Sequence, residues 1–192
     1  DAVRSARHES ALDEPVWSKA SEDPIDYGLW WHETMEFVPW SGKEASVENH
    51  LQLAKAAAEK MGFGRRAADE LAKLKTSELW RELRDGRYQI LTELSVFAKL
   101  TTEAWMDGVI DLVAHEPGSN TVLIVDWKTN RQRLGESNEA LIERLRSEYA
   151  PQLTAYGSSM DNFFPGARVK MGVFSTMVGT FTEVESALHH TT

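Results

Sequence analysis

Residues 105–130 read WMDGVIDLVAHEPGSNTVLIVDWKTN, and this stretch decides the fold. Two runs rich in β-branched and apolar residues flank a Pro-Gly pair, which predicts a β-hairpin. Asp111 interrupts the first run, and Asp126 and Lys128 end the second. A buried charge is unfavourable unless it is paired or bound to a metal ion. The hairpin therefore predicts either a structural ion pair or a metal site.

The spacing of these charges on the predicted strands favours a shared location. Side chains alternate faces along a strand, so Asp126 and Lys128 point the same way. If the strands pair, Asp111 and Asp126 converge near one end of the hairpin, and two close carboxylates repel unless a cation lies between them. Lys128 could then orient or deprotonate a water molecule, or stabilise charge on a phosphate oxygen. A structural Asp–Lys pair at the strand ends is the alternative, because the triplet Asp-x-Lys is common by chance.

The composition is that of a globular chain without thiol chemistry. The 192 residues, 42% hydrophobic and 27% charged, suffice for one domain with a substantial core. No apolar run approaches the ~20 residues that span a bilayer, so we expect no membrane partner. The absence of cysteine excludes disulfides, thiol catalysis and iron–sulfur clusters, and it agrees with a cytoplasmic location. Any metal must be bound by histidine and carboxylates, which favours Mg²⁺ or Mn²⁺.

The remaining sequence predicts a single α/β domain over residues 1–192, and its start at Asp1 rather than Met suggests a piece of a larger protein. It divides into an irregular N-terminal segment (1–26), a helical part (27–86), and a core sheet with a flanking helix (87–192). Thr76 is a predicted N-cap. The predicted helices are 27–37, 45–61, 65–74, 77–83, 137–146 and another that begins near Pro151, and the predicted strands are 88–100, 102–114, 121–127, 169–175 and 180–184.

Four motifs, in this order, resemble the nuclease domain of RecB/AddA-type helicase–nucleases, which are members of the PD-(D/E)xK superfamily. They are Y-G-L-W-W-H-E-T-M-E in the first helix, G-V-I-D-L-V and V-D-W-K-T-N in the hairpin, and Y-A-P-Q-L-T-A-Y downstream. The resemblance extends from Gly28 to Val184. It implies a restriction-endonuclease-like αβββαβ core with a mixed central sheet, to which this chain adds N-terminal helices.

The resemblance also implies a role for each matched residue. His32, Asp111 and Asp126 would bind the metal ion, and the backbone carbonyl of Trp127 would be a possible fourth ligand. Lys128 would be the catalytic lysine and would act together with Asp111 and Asp126. Judged from the residues alone, a single histidine on an apolar helix is more often a core or capping residue than a metal ligand.

Three further residues match the family as accessory residues of the substrate site: Gln152, Tyr156 and Glu93. A spacing of four residues places Gln152 and Tyr156 on one face of a helix, where they could also simply cap and pack it. Glu93, in the sequence E-L-S-V-F, resembles a glutamate that precedes the motif strands in this family. A solvent-facing glutamate on a strand would look the same.

The function implied by the resemblance is that of a Mg²⁺- or Mn²⁺-dependent deoxyribonuclease, an exonuclease similar to exonuclease V. Its partners would be DNA and the helicase domains of the same polypeptide or complex, and its role the processing of double-strand-break ends for recombinational repair. The net charge of -9 argues against a free-standing nucleic-acid binder, because neutralisation of phosphates needs Lys and Arg, but it does not exclude a nuclease. The alternative is a non-catalytic DNA-binding or docking module with the same fold, and the acidic charge is its best support. A stand-alone nuclease that acts on a different nucleic acid is a third possibility.

A group of basic residues follows the Asp-x-Lys motif and has two interpretations. These residues could contact the phosphate backbone of a nucleic acid, or they could form a solvated surface, which is the usual case for clustered charge. The group consists of Arg131, Arg133, Arg144 and Arg146.

Overall fold

The computed structural model describes residues 24–99 and 105–184. Four helices come first: α1 (Pro24–Glu36), α2 (Glu44–Lys60), α3 (Gly64–Thr76) and α4 (Glu78–Leu83). They are followed by β1 (Gln89–Lys99), β2 (Trp105–Glu116), β3 (Thr121–Lys128), α5 (Asn138–Ser159), a 3-10 turn (Met160–Asn162), β4 (Arg168–Ser175) and β5 (Thr180–Glu183). This order confirms the predicted α/β class.

The predicted irregular segment 1–26 is only partly covered by the structure. Residues 24–26 are helical and form the beginning of α1, so the segment ends earlier than predicted. Residues 1–23, and residues 102–104 of the predicted second strand, lie outside the described ranges. Within those ranges, no helix is both long enough and apolar enough to cross a membrane.

The five strands form one mixed sheet in the order β1-β2-β3-β4-β5. The pairs β1–β2, β2–β3 and β4–β5 are antiparallel, which confirms the predicted hairpin of β2 and β3. The pair β3–β4 is parallel, and α5 supplies the long connection that a parallel pair requires. Because β3 is the central strand, its C-terminal end with Asp126 and Lys128 lies in the middle of the sheet.

The sheet separates two hydrophobic cores. One face packs against the N-terminal helices, with Trp31, Leu71 and Trp127 among the buried side chains. The other face packs against α5, with Leu145 and Tyr156 among them. Strand β3 is buried at every position except its last. A strand that is covered on both faces should read as a continuous apolar run, as β3 does up to the charged residues at its end.

The two helices predicted around Pro151 are one continuous helix, α5, with Pro151 in its interior. A proline inside a helix removes one backbone hydrogen bond and costs about 3 kcal/mol, which is why the sequence suggested a break. The helix continues because its buried face extends across the proline. Leu145 on one side and Leu153 on the other are both fully buried against the sheet, and their burial stabilises the helix by an amount comparable to this cost.

The predicted N-cap at Thr76 is also wrong, because the cap of α4 is Ser77. The Ser77 hydroxyl accepts a hydrogen bond from the Trp80 backbone N–H at 3.1 Å. Thr76 is instead the last residue of α3, where its hydroxyl donates to the carbonyls of Ala72 and Lys73. Serine and threonine are both common N-cap residues, so the sequence alone predicts this helix boundary only to within one residue.

Candidate metal centre

The hairpin of β2 and β3 opens at Asp111. Paired residues run from Glu116 opposite Thr121 to Leu112 opposite Val125, and the next pair in this register would be Asp111 and Asp126. At that point the Asp111 carboxylate accepts a hydrogen bond from the Trp127 backbone N–H, at 2.7 Å from Oδ2. The Asp111 side chain thus accepts the hydrogen bond that a main-chain carbonyl would otherwise accept from Trp127. Both carboxylates therefore lie where the two strands separate, as the period-two pattern predicts.

Strand β1 changes its conformation opposite Asp111. Glu93 has a backbone φ of +51°, a left-handed conformation that is uncommon for residues other than glycine, asparagine and aspartate. Residues an even number apart on a regular strand share a face, yet Ile90 packs in the core of the N-terminal helices and Leu94 in the core of α5. The side chains of β1 and β2 change faces at this point, because the unusual backbone conformation of Glu93 twists the two paired strands. Backbone strain of this kind is concentrated at functional sites.

His32, Glu93 and Asp111 come together at this opening. One potential ligand atom from each of them lies within 4.8 Å of the others. The His32 Nδ1 atom, on α1, is 3.2 Å from Asp111 Oδ1. Burial and the negative charge of Asp111 raise the pKa of Glu93. One imidazole and two carboxylates that crowd one another form a ligand set for a hard divalent cation, whose charge would relieve the repulsion.

Asp126 and Lys128 form a buried ion pair beside this group. Lys128 Nζ is 2.7 Å from Asp126 Oδ2, and the two side chains are only 14% and 6% exposed. Burial raises the pKa of Asp126 to about 6, although the positive charge of Lys128 opposes this effect. Asp126 is thus an acid that changes charge in the mildly acidic range.

Lys128 is held in its charged form. Burial lowers its pKa, but the charge of Asp126 outweighs burial and the net shift is upward. The ammonium nitrogen also lies 3.8 Å from the centre of the Tyr149 ring, a cation–π contact that stabilises the positive charge further. A lysine with a raised pKa is a poor base at neutral pH. Lys128 is therefore suited to act as a fixed positive charge at the open end of the hairpin.

The family of the chain follows from a comparison with protein-family models. The model of the PD-(D/E)XK nuclease superfamily matches residues 5–176. The chain belongs to this superfamily. No curated protein matches the chain in sequence. The predicted superfamily is confirmed, whereas its RecB/AddA-type branch stays a prediction.

Membership of the superfamily implies nuclease activity, and its members generally use divalent metal ions. The structure brings His32 and Asp111 together with Glu93, and it places the Asp126–Lys128 pair next to them. Trp127 contributes its backbone N–H to the site, while its side chain is buried on Phe174 in the other direction. The individual roles of these residues remain predictions.

Two of the three predicted accessory residues, Gln152 and Tyr156, lie on α5, and Tyr156 contacts β2. Gln152 Nε2 donates to the Tyr156 hydroxyl at 2.8 Å, which confirms that the two share a helix face. The hydroxyl in turn donates to the Val109 carbonyl at 3.0 Å. Gly108 permits this approach, because a Cβ atom there would lie 2.7 Å from the Tyr156 hydroxyl oxygen. Gln152 and Tyr156 therefore hold β2 in position at Val109, two residues before Asp111.

A buried polar network that the sequence analysis missed attaches α1 and α3 to the site. Glu70, 1% exposed, accepts hydrogen bonds from the Tyr27 hydroxyl and from Arg66 Nε, each at 2.9 Å. Arg66 also donates to the carbonyl of Thr129 at 2.7 Å, the residue directly after Lys128. The spacing of Arg66 and Glu70 would have indicated only a local helical ion pair. The hydrogen bonds of this pair with Tyr27 and Thr129 fix the helix that carries His32 against the end of β3.

Proposed function

We propose that the chain is a metal-dependent DNA nuclease domain that hydrolyses phosphodiester bonds, with Mg²⁺ or Mn²⁺ as its cofactor and an exonuclease V-like activity. One observation carries the proposal. A histidine and two carboxylates, His32, Glu93 and Asp111, meet at the point where the hairpin opens, next to a buried Asp126–Lys128 pair. Nuclease superfamily membership supports the same reaction class.

The residues present fit a hard divalent cation. His32 and Asp111 would hold it, with Asp126 and the Trp127 carbonyl as further ligands and Glu93 as a ligand or an aid to its binding. The donors are nitrogen and oxygen atoms, as Mg²⁺ and Mn²⁺ prefer. A bound cation would neutralise charge that develops on the scissile phosphate and make a water molecule easier to deprotonate.

Lys128 acts in this proposal through its charge. The charge of Asp126 and the ring of Tyr149 keep its ammonium protonated and fixed in position. Such a preorganised donor stabilises negative charge on a phosphate oxygen in the transition state, and it orients the attacking water. Tyr149 is a positioning residue, because it acts through its contact with Lys128. Gln152 and Tyr156, on the same helix as Tyr149, support the strand that carries Asp111.

The biological role proposed is the processing of DNA ends in recombinational repair, within a helicase–nuclease of the RecB/AddA type in the cytoplasm. The support is the resemblance of four ordered motifs between Gly28 and Val184. The helicase domains would then belong to the same polypeptide or complex, and residues 1–192 would form one nuclease domain. Delivery of DNA by a helicase would also reconcile nuclease activity with a net charge of -9.

The direct test of the proposed function is cleavage of linear DNA. Because the ligand set fits a divalent cation, we expect the chain to degrade linear DNA in the presence of Mg²⁺ or Mn²⁺ and to lose that activity in EDTA. The products, separated on a gel over time, distinguish exonuclease from endonuclease cleavage. DNA that is bound but left intact under saturating Mn²⁺ would favour the alternative of a non-catalytic binding module.

The affinity for Mn²⁺ should fall as the pH falls. Asp126 has a pKa of about 6 and must lose its proton before it can bind a cation. The His32 pKa is also raised, because the hydrogen bond and charge of Asp111 outweigh the effect of burial. Protons therefore compete with the metal, and the affinity should drop at least about tenfold per pH unit below pH 6. Titration calorimetry measures this, and an affinity that is constant down to about pH 5 would contradict ligation by Asp126.

A further inference from the structure

A positively charged cavity lies beside the segment that follows β3. Its volume is about 370 Å³, and it is lined by Arg65, Arg66, Asp69 and Arg131. Arg65 is exposed and Arg131 is half exposed, whereas Arg66 forms the buried floor. Three guanidinium groups around one cavity form an unusual feature in a chain whose net charge is -9.

The carboxylates near this cavity do not balance its positive charge. Glu70 lies behind it and is shared by two guanidinium groups, at 2.9 Å from Arg66 Nε and 3.2 Å from an Arg131 terminal nitrogen. Asp69, in the lining, lies 2.7 Å from the ammonium of Lys73. Among the described residues, the cluster thus contains four cations, the three arginines and Lys73, and two carboxylates, Asp69 and Glu70. An anion in the cavity would be attracted by this excess.

The other basic residues that follow β3 are placed differently. Arg144 forms a hydrogen-bonded ion pair with Glu136 at 2.8 Å, and Arg146 forms one with Glu143 at 2.9 Å. Neither of them lines the cavity. Of the four arginines that the sequence grouped after the Asp-x-Lys motif, Arg131 is the one that lines the cavity.

The cavity is connected directly to the reacting end of β3. Arg66 binds the carbonyl of Thr129, and Arg131 comes only three residues after Lys128. Three residues span at most about 11 Å of chain. Phosphates along one strand of a duplex are spaced about 3.4 Å apart along the helix axis. Lys128 and the cavity are therefore close enough for one DNA strand to contact both within a few nucleotides.

We propose that Arg65, Arg66 and Arg131 form a binding site for a non-scissile backbone phosphate of the DNA strand that is cut. The proposal rests on the proposed nuclease function for its substrate. Arg66 and Glu70 fix the floor of the site, and Arg65 and Arg131 supply donors that are accessible from solvent. Guanidinium groups bind phosphates through two parallel hydrogen bonds, so the site fixes the register of the strand relative to the metal centre.

The test is DNA binding by Arg65→Gln and Arg131→Gln variants of the full chain. Fluorescence anisotropy of a short labelled DNA in EDTA, over a series of KCl concentrations, measures affinity without cleavage. Each substitution should weaken binding about tenfold, the loss expected for one charged hydrogen bond. It should also reduce the slope of log affinity against log salt by about 0.7 to 0.9. Thermal unfolding checks that the variants are folded, and Arg65 is exposed and therefore the safer position.

The matched control is Arg81→Gln. Arg81 is an exposed arginine on α4, near Glu78 and beside β5 at the edge of the sheet. The Arg81→Gln substitution removes the same charge at a different place, so it should leave the affinity for DNA and its dependence on salt unchanged. Unchanged binding by both cavity variants, or an equal loss in the control, would overturn the proposal. A loss of affinity seen only with DNA that carries a terminal phosphate would also overturn the proposal, because the cavity would then recognise the end of a strand.

The cleavage assay separates this proposal from the function on which it rests. If DNA binding depends on Arg65 and Arg131 but the unmodified chain cuts no DNA with Mg²⁺, the phosphate site stands and the nuclease proposal fails. If the chain cuts DNA while both variants bind normally, the nuclease proposal stands and the phosphate site fails. Binding in EDTA and cleavage in Mg²⁺ therefore give independent answers.

Discussion

Replacement of Lys128 by alanine should lower the rate of DNA cleavage at least about a hundredfold, the typical cost of removing one preorganised donor to a transition-state anion. The physical reason is that its ammonium is buried, charged and fixed by Asp126 and Tyr149. Single-turnover degradation of linear DNA with saturating Mg²⁺ measures the loss. An unchanged rate would refute the proposed role of Lys128.

The matched control for this variant is Lys170→Ala. Lys170 lies on β4, is 46% exposed, and has Glu183 at 3.8 Å as its ion-pair partner. Its removal takes away the same charge without touching the site, so cleavage should continue at the normal rate. Because Lys128→Ala leaves Asp126 without its counter-charge, thermal unfolding of both variants must show that they remain folded. A folded Lys128→Ala variant with lost activity supports a chemical role.

Replacement of Asp111 by asparagine should reduce the affinity for Mn²⁺ at least about tenfold and abolish most of the cleavage, because a ligand charge is lost. The amide oxygen of asparagine can still accept the hydrogen bond from the Trp127 N–H. The opening of the hairpin should therefore keep its structure. Titration calorimetry with Mn²⁺ separates the loss of metal binding from a loss of folding, which thermal unfolding reports.

Asp107→Asn provides the control on the same strand. Asp107 is exposed and lies four residues before Asp111, opposite Phe97 of β1. Its substitution makes the same chemical change away from His32 and Glu93, and it should leave Mn²⁺ affinity and cleavage as they are. Equal metal affinities for the Asp111→Asn variant and the unmodified chain would show that the metal, if one binds, is held elsewhere.

The sequence predicted those parts of the fold that depend on local pattern. The apolar run that ends at Asp126 and Lys128 predicted a strand of a hairpin, and period-two spacing correctly placed these two side chains together. The break predicted at Pro151 was wrong because the burial of Leu145 and Leu153 is a tertiary effect. The choice between Thr76 and Ser77 as a cap depends on backbone geometry that their similar side chains do not reveal.

The candidate site was predictable only in part. Its charges could be singled out because they interrupt apolar runs, and the resemblance to a known family supplied His32. The left-handed conformation of Glu93 has no signal in its local sequence, because glutamate seldom adopts it. The contacts of Glu70 with Tyr27 and of Arg66 with Thr129 join residues far apart in the chain. Such contacts follow from the packing of helices on the sheet and from no local pattern.

The change of faces at Glu93 and Asp111 has a consequence for how the hairpin finds its register. On either side of Asp111, Ile110 and Leu112 pack in different cores. A slip of one residue would exchange the faces of the strand and force the Asp111 carboxylate into one of these cores. An unpaired carboxylate there would be strongly unfavourable. The Asp111 carboxylate thus also disfavours a shifted pairing of the strands, independently of any bound cation or DNA.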